Sequence, residues 1–270
     1  MASQLVKDLI DAGVHYGHRV SRWNPKMAPY IFGKRNAIHI IDVRETLKGI
    51  LLARKFVTQV VASGKDVLLV GTKRQARKTV EDGAMSSNMH YVSDRWLGGT
   101  LTNFHEIRKR VGRLDQLEQL ETDGMLDTYS KKEGSALRRE MRKVRRNLQG
   151  IRRMTRLPGV LFIIDQHREI IAIKEARKMG IPVICLLDTD CDPDLVDIPV
   201  PGNDDAMRAI EIIVAQLVEA ISEGANTRTK LATEPAGDDA RRRSRRPTTA
   251  RAEEAGEAPA APETEQAPQA

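Results

Sequence analysis

Aromatic side chains make up only 4% of the 270 residues, so aliphatic groups must fill whatever core the chain builds. Two cysteines, Cys185 and Cys191, are too few to staple a chain of this length, which sets aside the disulfide-framed class. No run approaches the roughly 18 apolar residues a spanning helix requires. No basic amphipathic stretch carries the bulky aromatic face of an interfacial helix, so no membrane partner is expected. Met1-Ala2-Ser3-Gln4 lacks the basic start of a secretory leader, and the expected location is cytoplasmic.

Positive charge is what the chain has in excess. The formal net charge is +7 and the sequence pI about 9.5. Residues 231–270 hold six Lys/Arg against eight Asp/Glu, so the preceding 230 residues carry a net +9. A folded body with that surplus attracts polyanions, of which nucleic acid is the commonest.

Short aliphatic runs recur along the chain. They are Ile38-His39-Ile40-Ile41-Asp42, Val67-Leu68-Leu69-Val70, the weaker His90-Tyr91-Val92, Val160-Leu161-Phe162-Ile163-Ile164 and Pro182-Val183-Ile184-Cys185-Leu186-Leu187. Helical stretches alternate with them: 3–12, 44–62, one from about Lys73, 168–178, and 204–222 with Gly224 as its stop. Apolar runs separated by helices indicate strands buried on both faces, the pattern of a parallel sheet between helical layers. Right-handed crossovers then make a doubly wound α/β fold, a flavodoxin-like three-layer sandwich, the simplest topology. This body spans 1–103 and 158–226.

Residues 104–157 contain no strand signal. Leu137, Met141, Val144, Leu148 and Ile151 recur at spacings of four and three, and Ile107, Val111, Leu114, Leu117 and Leu120 nearly match them. With a turn at Thr122-Asp123-Gly124, the segment reads as an inserted antiparallel helical hairpin. Its second half is strongly basic: residues 137–156 hold nine Lys/Arg and one acid, Glu140. Arg138, Arg139, Arg142, Lys143, Arg145, Arg146, Arg152 and Arg153 lie off the apolar stripe, where they can neutralise phosphates. Scarcity of nearby acids argues against a merely solvated helix. Residues 227–270, rich in Ala, Pro, Glu and Arg, cannot bury enough apolar surface to offset their ordering entropy and are expected to be disordered.

Three loops are further candidates. Arg95-Trp96-Leu97-Gly98-Gly99-Thr100-Leu101-Thr102-Asn103 joins adjacent glycines, which let a backbone approach a phosphate, to short hydrogen-bonding side chains. A structural turn with Trp96 filling a gap reads equally well, and Asn103 suits the cap of the next helix. Arg22-Trp23-Asn24-Pro25-Lys26-Met27 places the other tryptophan among basic groups, where it either packs on a base or anchors the loop. Val70-Gly71-Thr72-Lys73-Arg74-Gln75 fails as a phosphate-binding P-loop, leaving Lys73 and Arg74 beside a helix start.

No enzyme signature emerges. Asp188-Thr189-Asp190-Cys191-Asp192-Pro193-Asp194 has proline where a calcium loop needs glycine, and turn or capping duty suits it better than catalysis or magnesium. His15 and His18 have no second pair at a diagnostic spacing, so no metal site is expected. Neither a cofactor nor a small-molecule substrate is implied.

His15-Tyr16-Gly17-His18, Arg22 to Met27, Tyr30-Ile31-Phe32-Gly33, Gly71-Thr72-Lys73-Arg74-Gln75-Ala76, Arg95 to Asn103 and Pro201-Gly202-Asn203-Asp204-Asp205-Ala206 stand in fixed order. In this the chain resembles the bacterial small-subunit ribosomal protein S-two family over about residues 3–223; Asp190 stands where that family leads one to expect Asn. The resemblance implies a non-catalytic protein docked on small-subunit rRNA beside neighbouring ribosomal proteins and helping to recruit the mRNA-binding protein S-one. It also implies rRNA or scaffold contact for Trp23, Asn24, Lys26, Arg95 and the turn that follows. A free RNA-binding regulator and a phosphate-ligand enzyme on the same fold are the alternatives. Charge disfavours the enzyme, and only the motif series separates the other two.

Overall fold

The computed structural model describes residues 2–233. Helix α1 (Ala2–Asp11) leads into a small antiparallel sheet of β1 (Tyr16–Arg19), β2 (Ile31–Arg35) and β3 (Ile38–Ile41), in the order β1-β3-β2. The run at 38–41 therefore leaves the main sheet, contrary to the sequence expectation. Its alternating burial is that of a strand covered on one face only.

Helix α2 (Val43–Ala62) starts where the Asp42 carboxylate accepts the Arg44 amide at 2.9 Å. The main sheet follows: β4 (Val67–Val70), α3 (Arg77–Ser86), β5 (His90–Val92), then helices α4 (Phe104–Thr122) and α5 (Lys131–Leu148). It is completed by β6 (Val160–Ile164), α6 (Ile170–Met179), β7 (Val183–Leu187), β8 (Ile198–Pro201) and α7 (Met207–Thr233). All five strands run parallel in the order β5-β4-β6-β7-β8, the doubly wound arrangement with its switch point between β4 and β6.

Alternate residues of each strand serve opposite layers. Leu69, Val160, Phe162, Ile164, Ile184 and Leu186 pack with α1, α2, α3 and α7. Leu68, Val70, Leu161, Ile163, Cys185 and Leu187 pack with α6, Trp96, Leu101 and the root of α4–α5. That two-sided burial explains the unbroken aliphatic runs.

The basic segment forms the expected helix pair between β5 and β6. Gly124 turns the chain at φ +69°, and a capping box of Ser130 and Glu133 starts α5. The start of α4 meets the end of α5, where Arg108 donates to the carbonyls of Arg152 and Met154, so the pair is antiparallel. Ile107, Val111, Leu148 and Ile151 merge with the sheet core, whereas Leu114, Leu117 and Met141 form a separate apolar cluster farther out.

Two helix boundaries differ from the sequence reading. Helix α3 begins at Arg77 rather than near Lys73, and α7 runs through Gly224 to Thr233. Gly224 is a contact, not a stop: a Cβ there would stand 2.8 Å from the Thr58 carbonyl and from the Val61 Cβ. Residues 227–233 are thus helical, and the rest of the tail expected to be disordered, 234–270, lies outside the described residues.

Candidate nucleic-acid interface

The turn between β5 and α4 encloses an anion, and the anion belongs to the protein. Glu175, 8% exposed on α6, accepts the backbone amides of Gly99 (2.7 Å), Leu101 (3.0 Å) and Thr102 (3.2 Å). It also accepts Trp96 Nε1 at 3.2 Å and the Thr102 hydroxyl at 3.3 Å. Burial alone would raise its carboxyl; the converging donors from Gly99, Leu101, Trp96 and Thr102 outweigh it and hold the group below the usual carboxylate range. Gly99 has φ +91°, as this nest of amides needs. The backbone of residues 99–102 is therefore a structural latch, with the amides of Gly99, Leu101 and Thr102 engaged by Glu175 instead of a phosphate. Trp96 is buried, the Thr100 hydroxyl donates to the Leu97 carbonyl at 2.6 Å, and Asn103 makes no side-chain cap. Arg95, the loop's one cationic residue, faces solvent and makes no ion pair among the described residues.

Lys73 is likewise committed. Its ammonium lies 2.7 Å from Asp204, 2.6 Å from Asp205 and 3.7 Å from Asp165. Burial, with help from Asp165 and Asp188, pushes Asp204 up to about 7 even against that ammonium. Arg74, next to Lys73, is exposed and without an ion pair among the described residues. Nearby, the Thr72 hydroxyl donates to Glu169, and the Gln166 amide exchanges two hydrogen bonds with the Asp192 backbone. The strand ends where an enzyme of this fold would hold its substrate are thus occupied by groups bonded to one another.

In the first loop Asn24 accepts the Lys26 amide at 3.0 Å, and Lys26 pairs with Asp192 and Asp194 at 2.8 and 2.7 Å. Both are turn-forming groups. Trp23 is 36% exposed and packs against His39 with ring centres 5.1 Å apart and planes tilted by 39°. Arg22 is exposed beside it, and neither it nor Arg19, Lys34 or Arg35 makes an ion pair among the described residues.

His18 bridges β1 to the main sheet: Nδ1 lies 2.8 Å from Asp188, and its amide donates to the Thr189 hydroxyl at 2.9 Å. The hydrogen bond to Asp188 overcomes partial burial and raises the imidazole to about 9. A folded-state pKa above the ordinary 6.5 adds stability below about pH 6.5 that fades as pH rises through about 9. Denaturant unfolding from pH 6 to 9 should show this decline, and Asp188→Asn should flatten it; an unchanged slope would contradict the His18–Asp188 assignment. His18, Asp188 and Asp204 have ligand atoms within 4.8 Å of one another, but Lys73 already answers Asp204.

The hairpin's cations divide into two sets. Arg145 pairs with Glu118 at 2.7 Å, Arg152 with Asp115 and Glu118 at 2.5 and 2.9 Å, and Arg146 with Asp94 at 3.0 Å. Arg153 donates to the Asn88 side chain at 3.1 Å. These groups fasten the two helices to each other and to the body. The acids come from α4 and distant loops, so residues 137–156 look unopposed in sequence. Arg138 is engaged as well. Arg139 and Lys143 are exposed with no partner among the described residues, and Arg142 bonds only to the Arg138 carbonyl of its own helix. Arg95, Lys143 and Arg146 meet Arg110 and Arg113 of α4 around one groove. The last two escaped the sequence reading because α4 mixes charges of both signs.

The family model of ribosomal protein S2 matches residues 9–224. The small ribosomal subunit protein uS2 of Rhodopirellula baltica is 54% identical over 233 residues, covering 86% of this chain and 90% of that protein. The uS2 of Syntrophobacter fumaroxidans is 50% identical over 224 residues, 83% of this chain and 82% of the relative. That of Treponema pallidum is 49% identical over 226 residues, 84% and 78% of the two chains. With its doubly wound sheet, its inserted basic hairpin and a match spanning nearly all the described residues, the chain belongs to the ribosomal protein S2 family.

Proposed function

We propose that the chain is a structural constituent of the bacterial cytoplasmic small ribosomal subunit, holding small-subunit rRNA through the hairpin formed by residues 104–157. The observation that carries the RNA reading is the exposed trio Arg139, Arg142 and Lys143, whose charge no acid of the described residues offsets by a direct ion pair. Phosphate contacts from such a face draw their free energy largely from counterion release. The α/β body acts as the platform, with neighbouring ribosomal proteins around it. Support for docking of protein S-one rests on the resemblance, and exposed Tyr16 (50%) and Phe32 (71%) offer an apolar surface for a protein neighbour.

Replacing Arg139, Arg142 and Lys143 together with Gln should weaken association with small-subunit rRNA by about tenfold or more. It should also flatten the dependence of log K on log salt by roughly two to three. These side chains form no part of the hairpin seam, so the melting temperature should hold. Native affinity and slope in a folded variant would remove this face from RNA binding.

A further inference from the structure

Two neighbouring strand ends carry a side-chain cluster that RNA binding leaves unused. Strands β6 and β7 are parallel partners, so the turns that follow them leave the sheet at the same edge. His167 comes from the first turn, Asp190 and Cys191 from the second. Each offers one metal-ligating atom, and the three atoms lie within 4.8 Å of one another. His167 Nε2 stands 3.8 Å from one carboxylate oxygen of Asp190, and the Cys191 sulfur 3.4 Å from the other. With Zn–N and Zn–O bonds of about 2.0 Å and Zn–S of about 2.3 Å, ligand atoms around a tetrahedral zinc ion stand about 3.3–3.6 Å apart. Closing the triangle onto a shared ion therefore asks for shifts of only about 1 Å.

The surroundings hold these ligands in place. Gln166, beside His167, donates to the Asp192 carbonyl and accepts the Asp192 amide, both at 2.6 Å, which locks the two turns together. The Cys191 amide donates to the Asp188 carbonyl at 3.2 Å, and His167 Nε2 lies 3.1 Å from the Asp190 carbonyl, so the ring is already held over the cluster. No lysine or arginine pairs with Asp190 among the described residues, whereas in the His18, Asp188 and Asp204 group Lys73 already answers Asp204. The exposed His167 gives an ion a way in, and the buried Cys191 forms the floor. Burial, with Asp190 beside it, pushes the Cys191 thiol up, so without a metal the group is protonated and unreactive. A divalent cation reverses that balance by attracting the thiolate directly.

We infer that His167, Asp190 and Cys191 bind one thiophilic divalent cation of the zinc class, which clips the β6–α6 turn to the turn after β7. Cys191 gives its thiol proton to solvent on binding, and His167 presents the Nε2 lone pair with its proton on Nδ1. Thiolate and carboxylate together balance the two charges of the ion, and water takes the fourth position. A sulfur, nitrogen and oxygen set favours zinc over magnesium or calcium, which take oxygen ligands. Asp190 stands where the family leads one to expect Asn, and an amide there would leave the thiolate to balance the ion alone.

The test uses the full chain, stripped with a chelator and titrated with Co²⁺ as a spectroscopic substitute for Zn²⁺. A thiolate-to-cobalt charge-transfer band should grow in the near ultraviolet and saturate at one equivalent, and Zn²⁺ should displace it. The sulfur-free group around His18 cannot produce that band. Cys191→Ala should abolish it. His167→Gln changes an exposed side chain and should leave the metal-free melting temperature alone while weakening Zn²⁺ binding, measured against a chromophoric chelator, by about a hundredfold or more. Asp190→Asn should weaken it by about tenfold to a hundredfold. Zn²⁺ should also raise the denaturation midpoint of the parent and not that of His167→Gln. A folded parent without the charge-transfer band, or a band that survives in Cys191→Ala, overturns the site. So does parental Zn²⁺ affinity in folded His167→Gln and Asp190→Asn chains.

Discussion

Glu175→Ala should destabilise the folded chain by about 3 kcal/mol or more, read as a lower denaturant midpoint with little change in slope. The variant strips the acceptor from three backbone amides, the Trp96 indole and the Thr102 hydroxyl, in a pocket that excludes most water. Hydrogen bonds to an ionised group are the strong ones, and buried donors left without a partner incur their full desolvation penalty. Glu175→Gln should fall between, because one of its two acceptor positions becomes an amine facing N–H groups. Since the carboxyl is depressed in the folded chain, its contribution is present above the ordinary carboxylate range and is lost as pH falls below it. The same variant should open residues 96–103 to protease, since the latch joins the root of α4 to α6. A midpoint within the error of the parent would show that the turn stands without Glu175.

Lys73→Met should cost about 3–5 kcal/mol at pH 8, the usual penalty for leaving one partner of a buried ion pair alone. Asp204 is 2% exposed and keeps Asp165 and Asp188 as like-charged neighbours. It has one escape, which is to take up a proton. With Lys73 present its carboxyl already sits at about 7, and without that ammonium it moves higher. A folded-state pKa above the unfolded one gives stability that is present at low pH and lost as pH rises, so the variant should recover part of its deficit toward pH 5. Asp204→Asn in the Lys73→Met background should recover most of it at every pH, a coupling that a double-mutant cycle measures directly. A deficit independent of pH and of Asp204 would place the cost elsewhere.

What the sequence discloses depends on how far the partners lie along the chain. Val160–Ile164 and Val183–Leu187 are buried at every residue, and such runs announce a two-sided sheet without further help. Strand β8 did not announce itself, because Pro199 and Pro201 argue against a strand; it is tolerated at the sheet edge, where a missing N–H can face away from β7. The small sheet was hidden by Gly17 and Gly33 and by His39 within its best run.

The site was less legible than the fold for the same reason. The glycine-rich turn has the composition of a phosphate cradle, and only the fold brings Glu175 to it from more than 70 residues away. Lys73 reads as a phosphate group until Asp204, separated by 131 residues, is seen on it. The hairpin's stripe and surplus charge were plain, yet Glu118 and Asp115 divide its arginines into fasteners and free cations. Local pattern gave the rod; long-range pairing decides which of its charges remain available.

As a fixed part of the small subunit, this chain is proposed to be held there by phosphate contacts. Sucrose-gradient sedimentation of lysate, with the chain followed by antibody, tests it most directly. The chain should travel with the small-subunit peak at low salt, and the Arg139/Arg142/Lys143→Gln variant should shift toward the top as salt rises. A parent chain found chiefly at the top of a low-salt gradient, with the small-subunit peak intact and empty of it, would contradict the account.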